Sequence, residues 1–212
     1  MQNMPFFTTK NGVASLTLRE IPYTKKAYIT IQDTHNPEVF IKECADFCRA
    51  VGAEAVFATG HRYLKNYTLH TTVMEMKRSL DGLEETDAYL LPVQKETLEQ
   101  WREIYNQRMA NISNSAYLDM RQAEKYLQQG SAYFVHRNNQ LLGIGIAEDD
   151  SVNSIISLMP GAGKDVLLAL TRALTGNSIR LEVASDNIPA MKLYERLGFI
   201  KIRDISTWYI IF

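Results

Sequence analysis

Near the end of the sequence, Asn187-Ile188-Pro189-Ala190-Met191-Lys192-Leu193-Tyr194-Glu195-Arg196-Leu197-Gly198-Phe199 sets usable chemistry on one short, well-bounded helix. Asp186 or Asn187 can cap it, Pro189 suits its first turn, and Gly198 suits the left-handed residue that ends it. Ala190, Leu193, Tyr194 and Leu197 follow the i, i+3, i+4, i+7 spacing and share one buried stripe. Tyr194 therefore leans inward with a hydroxyl in need of a partner. A phenol of pKa about 10 stays protonated at neutral pH and is a proton donor.

A second stretch, Met159-Pro160-Gly161-Ala162-Gly163-Lys164, lies between an expected strand over residues 152–158 and a helix starting near Lys164. Unpaired backbone N–H groups and the helix dipole favour an anion there, and the position suits a pyrophosphate. A nucleotide P-loop is excluded, because that motif needs glycine at position 158 and a hydroxyl at 165, where this chain has Leu158 and Asp165.

The pattern of Asn, Ala three residues on, then Leu-Tyr-Glu-x-Leu-Gly-Phe running into a strand resembles the GNAT superfamily of N-acetyltransferases, over residues 180–202. The resemblance implies that Asn187, Ala190 and Tyr194 line a coenzyme A channel and that Tyr194 protonates the departing thiolate. It also implies that Leu158, Met159, Gly161, Ala162, Gly163 and Lys164 form the pyrophosphate loop. Gly161 and Gly163 match the family's glycines, and Val166 and Leu167 match the apolar positions that follow. Leu158 departs from the pattern, standing where the family has Gln or Arg, and Lys164 is the candidate compensating charge. The implied activity is transfer of an acetyl group from acetyl-CoA, without a metal, to a primary amine of a small molecule or peptide. The alternative is a non-catalytic acyl-CoA-binding module, or an interaction protein that keeps only the GNAT fold.

Attack by an amine needs a base, a donor for the carbonyl oxygen and an acid for the thiolate. A backbone N–H near residues 158–159 is the candidate donor. The strand over 152–158 contains no acid, and the nearest carboxylates are Glu148, Asp149 and Asp150 at a hairpin and Glu182 on the next strand. Glu182 is the candidate catalytic base, and its alternation with Leu181 and Val183 puts it on the opposite face from them. The hairpin acids read as solvated turn residues, and His35, His61, His70 and His136 as surface or satisfied residues.

These residues need a scaffold, and from residue 88 onward the pattern supplies one. Strand 88–93, helices 97–111 and 117–129, and strands 132–137, 141–147 and 152–158 are followed by a helix ending at Gly176, a strand at 179–184, the helix at 187–198 and a last strand. Thr97 with Gln100 reads as a capping box, and Leu98, Trp101, Tyr105 and Met109 as the apolar stripe of the first helix. Asn138-Asn139 and Asp149-Asp150 read as tight hairpin turns. The order resembles a complete GNAT fold: an α/β (α+β) domain with a mixed, mostly antiparallel sheet flanked by helices, over residues 84–212.

Residues 1–83 read as an N-terminal α/β subdomain. Its strands are expected at 13–21, 27–33, 55–59 and 68–77, with a helix at 37–51 capped by Asn36 and ended by Gly52. It resembles a degenerate partial GNAT repeat without a cofactor motif, and it is expected to cover one edge or lip of the other domain. The natural boundary is the acidic stretch 79–87, with Gly82.

The chain has 212 residues, 46% hydrophobic content, a formal net charge of −1 and a pI near 6.4. That suits one large or two small globular domains and provides no field to gather nucleic acid. Residues 1–12 show no basic segment followed by an apolar one, and no apolar run approaches the roughly 20 residues that cross a bilayer. A cytoplasmic protein without membrane contact is expected, as a monomer or homodimer. Cys44 and Cys48, four residues apart on a helix, read as small core hydrophobes rather than a disulfide or metal pair. The apolar end, residues 208–212, reads as a core strand before an interface edge.

Overall fold

A computed structural model describes residues 6–212; residues 1–5, part of the stretch read for a targeting segment, lie outside the described residues. The chain forms two compact units, Met1–Val73 with Asp204–Phe212, and Met74–Arg203. The division falls at 73/74, within strand β5 (Thr68–Ser79), where composition points to 83/84. The reason is packing: Leu80 and Leu83 of the acidic stretch pack on the core of the second unit, and the Leu80 N–H donates to Asn177 O at 3.0 Å.

In the first unit, β1 (Phe6–Thr9), β2 (Gly12–Thr17) and β3 (Lys26–Thr34) are antiparallel neighbours, and β4 (Ala55–Thr59) runs parallel to β3. A short helix, α1 (Ile21–Thr24), links β2 to β3, and α2 (Pro37–Ala50) makes the β3–β4 crossover. Strand β1 is absent from the sequence-based expectation, being short and at the margin of the sheet. The end of β11 (Ile200–Ile210) pairs antiparallel with β4, so the C-terminal apolar run is a paired strand. Helix α2 buries Phe40, Ile41, Cys44 and Cys48 against Leu16, Ile29 and Val56, and burial pushes the Cys44 and Cys48 thiols up to about 12 and about 11. Asn36 does not cap α2 with its side chain; only its carbonyl accepts, from the Phe40 N–H at 3.0 Å.

In the second unit the strand order is β5-β10-β9-β8-β7-β6, with β6 (Tyr89–Pro92), β7 (Ala132–Arg137), β8 (Gln140–Glu148) and β9 (Ser151–Ser157) successively antiparallel and β10 (Ser178–Ala184) parallel to β9. Asn138 and Asn139 turn β7 into β8 with φ of 50° and 62°, the two positive values that a type I′ hairpin demands. Helices α3 (Leu98–Met109) and α4 (Met120–Gln129) pack with Ile144 and Ile146 of β8. On the other face α5 (Gly163–Leu170) lies directly on β8, because Gly143 and Gly145 carry no side chain. A Cβ at Gly145 would stand 2.3 Å from Leu170 Cδ1, and one at Gly143 2.7 Å from Val166 Cγ2. The run Gly-Ile-Gly-Ile thus sorts α3 and α4 to one face and α5 to the other.

Two local expectations are corrected. Thr97 does not form a box with Gln100: its hydroxyl accepts from the Gln94 N–H at 3.1 Å, turning back into the 3-10 turn Lys95–Thr97. The helix after the glycine loop ends at Leu170, followed by a 3-10 turn at Thr171–Ala173, rather than at Gly176. Among the described residues, no helix is long and apolar enough to cross a membrane.

Candidate functional site

Strands β9 and β10 are neighbours, yet they share one register pair, Arg180 with Ser151, near their starts. Among the described residues no further register pair joins them, so the strands part toward their carboxyl ends. Each then enters one of the two motifs, β9 the glycine loop and β10 the turn into α6 (Ile188–Arg196). An opening at the carboxyl ends of parallel strands is where α/β sheets hold ligands.

In the loop, the Leu158 N–H still donates to Leu142 O at 2.8 Å, which corrects its candidacy as an oxyanion donor. Among the described residues the Met159 N–H has no acceptor, while Met159 O takes the Ser157 hydroxyl at 2.7 Å and the Ala162 N–H at 3.2 Å. Gly161 has φ +81°, and nothing lies within 4 Å of a Cβ built on it, so its backbone faces open space. The first helical donor of α5 is the Val166 N–H, to Ala162 O at 2.9 Å, which leaves the amides of Gly163, Lys164 and Asp165 without a helical carbonyl. Uncovered backbone and three free amides fit a diphosphate. The side-chain charges are engaged with one another: Lys164 with Glu84, and Arg137 with Asp165 at 3.0 Å and with Asp87 at 3.5 Å. Asp165 also accepts from the Thr86 hydroxyl at 2.8 Å, which holds its carboxylate.

In α6, Asn187 is the cap: its Oδ1 accepts from the Ala190 N–H at 3.3 Å. Gly198 ends the segment with φ +81°. Tyr194 is 7% exposed and lies among Leu181, Val183, Val166, Leu167 and Phe199, and burial pushes its phenol up to about 12. Among the described residues nothing hydrogen-bonds its hydroxyl. Gly163 and Leu193 join the loop to this helix, since a Cβ on Gly163 would lie 3.2 Å from Leu193 Cδ2.

Glu182 stands on the opposite face from Leu181 and Val183, which pack with Tyr194. It lines a cavity of about 280 Å³ with Glu75, Ser151, Asn153, Arg180 and Leu181. Glu182 is exposed as a residue; the partial loss of hydration at its carboxyl and then the charge of Glu75 raise its pKa, with Arg203 opposing. The hairpin acids are engaged locally: Glu148 accepts from Asn153 Nδ2 at 2.8 Å, Asp150 pairs with Arg180 at 3.0 Å, and Asp149 sits in the turn at φ 53°.

Two residues here escaped the sequence reading. Glu75 alternates with buried Met74 and Met76, so its face was legible, but its proximity to Glu182 depends on β5 lying beside β10. Asn114, at φ 59° in the α3–α4 loop, buries both amide atoms without a partner, and Ser113 beside it donates to Asp186 at 2.5 Å before α6. His136 corrects another expectation, since its Nδ1 is buried and unsatisfied. His61 accepts from the Tyr63 N–H at 3.2 Å, and His70 stacks on Phe57 at 4.1 Å.

No protein-family model and no curated protein matches the chain in sequence. Solved structures do match in shape. A GCN5-related N-acetyltransferase from Sphaerobacter thermophilus superposes with a TM-score of 0.59 at 9% identity, over 93% of this chain and 75% of that one. An acetyltransferase of the GNAT family from Colwellia psychrerythraea does so with a TM-score of 0.51 at 13% identity, over 97% and 84%. The chain has the GNAT fold. A conserved protein of unknown function from Staphylococcus epidermidis is also similar, with a TM-score of 0.60 at 10% identity over 99% of this chain and 94% of that one. In this chain the loop follows β9 and the helix of Tyr194 follows β10. Among the described residues, no group of three or more His, Cys, Asp or Glu could hold a metal ion.

Proposed function

We propose that the protein is an N-acetyltransferase that moves an acetyl group from acetyl-CoA to a primary amine of a small molecule or peptide. One observation carries the reading: β9 and β10 part after a single register pair, and the open glycine loop and the helix of Tyr194 stand at their carboxyl ends. Met159, Gly161, Ala162, Gly163 and Lys164 would hold the diphosphate, Leu158 the apolar approach, and Asn187 and Ala190 the channel wall. Acetyl-CoA supplies the activated acyl group. Tyr194 gives the leaving sulfur its proton, as an unpartnered phenol still protonated far above neutral pH can do. Glu182, on the other face, takes the proton of the incoming amine, and the Met159 N–H is the donor for the carbonyl oxygen.

Incubation with acetyl-CoA and a broad amine panel, with thiol release and acetylated product both followed, tests this reading. Product above the uncatalysed rate supports it; none from any amine refutes it. The engagement of Lys164 by Glu84 favours a second reading, an acyl-CoA-binding module that does not turn over, for which binding without product is the signature.

The first unit fits a degenerate partial repeat. Its β2–β3–α2–β4 has the same strand directions as β8–β9–α5–β10: an antiparallel pair, then a helical crossover to a parallel strand. There β3 and β4 stay paired from Lys26 with Ala55 to Thr30 with Thr59, which leaves no opening for a cofactor.

A further inference from the structure

We infer that the cavity between β7 and the start of α3 is a binding site for an uncharged heteroaromatic ring of the adenine type. The cavity measures about 450 Å³, within the range of small-molecule sites. Its body is apolar, made by Leu91 and Pro92 of β6, Phe134 of β7 and Leu141 of β8. Its polar wall is Gln94 and Thr97, from the turn before α3, and Gln100, from the first turn of α3, with His136 of β7 two residues beyond Phe134. Phe134 and His136 supply ring faces with centroids 6.3 Å apart, and Tyr89 of β6 stacks on His136 at 6.0 Å, which fixes the imidazole plane. A flat ring meets both apolar area and aromatic faces there.

The polar groups decide the ligand. Gln94 is engaged, its Nε2 donating to Pro92 O at 3.3 Å, and so is Thr97, whose hydroxyl accepts from the Gln94 N–H at 3.1 Å and donates to Gln94 O at 3.2 Å. Among the described residues nothing hydrogen-bonds the Gln100 carboxamide, and the Nδ1 of His136 is buried without a partner. A buried nitrogen left so carries an uncompensated desolvation cost, which a donor or acceptor on a ligand removes. Apart from that imidazole, no titratable side chain lines the cavity, so a phosphate, carboxylate or ammonium group has no charged partner in it. A carboxamide presents a donor and an acceptor side by side, the pattern that pairs with the amino group and adjacent ring nitrogen of adenine. The imidazole nitrogen takes another edge of the ring, as acceptor or donor according to its tautomer. Such a ring comes either from a free nucleoside or from the adenosine end of coenzyme A. The second source is within the same region, because Gln140 Nε2 donates to Met159 Sδ at 3.1 Å and sets the start of β8 beside the glycine loop. A nucleoside needs no acetyltransferase activity, whereas the cofactor as source rests on the reading above.

The test is an imidazole ¹H–¹⁵N correlation spectrum of the whole chain, labelled at histidine and titrated with adenosine, with the His136 signals assigned by their loss in His136→Phe. Adenosine should move these signals saturably. Gln100→Leu, at an exposed position, should weaken adenosine on the order of tenfold, and purine riboside, which lacks the amino group, should bind the wild type weaker by about the same factor. Two further arms find the source of the ring. Movement of His136 by acetyl-CoA but not by the acetyl thioester of phosphopantetheine supports the site and assigns the ring to the cofactor; movement by adenosine alone supports it and assigns the ring to a nucleoside. No saturable movement with millimolar adenosine, or equal affinity for adenosine and purine riboside, overturns the inference. Failure of acetyl-CoA to bind while adenosine still moves His136 overturns the acetyltransferase reading instead and leaves the site standing.

Discussion

Gly163 and Leu193 meet across the site, a Cβ on the glycine falling 3.2 Å from the leucine Cδ2. Through this contact the first residue of α5 and the helix of Tyr194 set each other's position. Gly163→Ala asks Leu193 to yield by a few tenths of an ångström, and Gly163→Val asks for more. We expect the alanine to cost less than about 1 kcal/mol and the valine roughly 1–3 kcal/mol of stability, read by urea denaturation. Acetyl-CoA affinity should fall in the same order, and equal affinities in all three proteins would dissociate the contact from the site.

Tyr194→Phe removes a hydroxyl and leaves the packing among Val166, Leu167 and Phe199. Turnover should drop on the order of 10²-fold while the Kd for acetyl-CoA stays within about threefold. Parallel losses in both would reassign Tyr194 to cofactor binding.

The same tyrosine predicts a loss of stability in alkali. Its phenol is neutral in the fold up to about 12, against an ordinary value of 10.0 in the unfolded chain. Between those values the unfolded state gives up a proton that the folded state keeps, so stability falls as pH rises through that window. Thermal unfolding of wild type and Tyr194→Phe from pH 9 to 12 should show curves that separate above pH 10, the wild type losing more.

Glu182 gives the opposite test in acid. Its carboxyl is raised in the fold, so the folded state favours the protonated form, and ionisation at neutral pH costs stability. As pH falls through the raised value toward the ordinary one, the folded state takes up the proton first and gains stability. Glu182→Gln should therefore raise Tm at neutral pH, and the gain should vanish once the wild-type carboxyl is protonated. A constant gain at all pH values would assign the effect to packing.

The ion pair of Lys164 with Glu84 is solvent-facing, so Glu84→Gln should change stability by no more than about 1 kcal/mol. It also frees the lysine beside the loop, and acetyl-CoA should bind more tightly, by an amount that shrinks as salt rises. Unchanged affinity at low salt would mean that Lys164 does not reach the phosphates.

The parts of this fold that sequence made legible are those set by near neighbours. Asn138-Asn139 announces a type I′ turn by its own backbone preference, and Asn187, Tyr194 and Gly198 declare a cap, an inward face and a stop within one helix. Even local signals mislead where a competing partner is closer, as when Thr97 turns back to Gln94 instead of forward to Gln100. The pairing of Glu75 with Glu182 was not legible, because it joins strands far apart in sequence that meet only once the sheet is ordered. Nor was the parting of β9 from β10: Ser151 and Arg180 read as ordinary strand residues, and nothing marks them as the last pair before the opening.

The most direct test of a coenzyme A site in the β9–β10 opening is calorimetric titration of the whole chain with acetyl-CoA, in parallel with Gly161→Asp. That variant places a carboxylate in the open space over the loop, where no atom lies within 4 Å. The wild type should bind one acetyl-CoA per chain, with binding lost or weakened at least about tenfold in the variant, equivalent to about 1.4 kcal/mol. Absence of heat in the wild type at millimolar acetyl-CoA, or equal binding by a folded Gly161→Asp protein, would contradict a cofactor site in this opening.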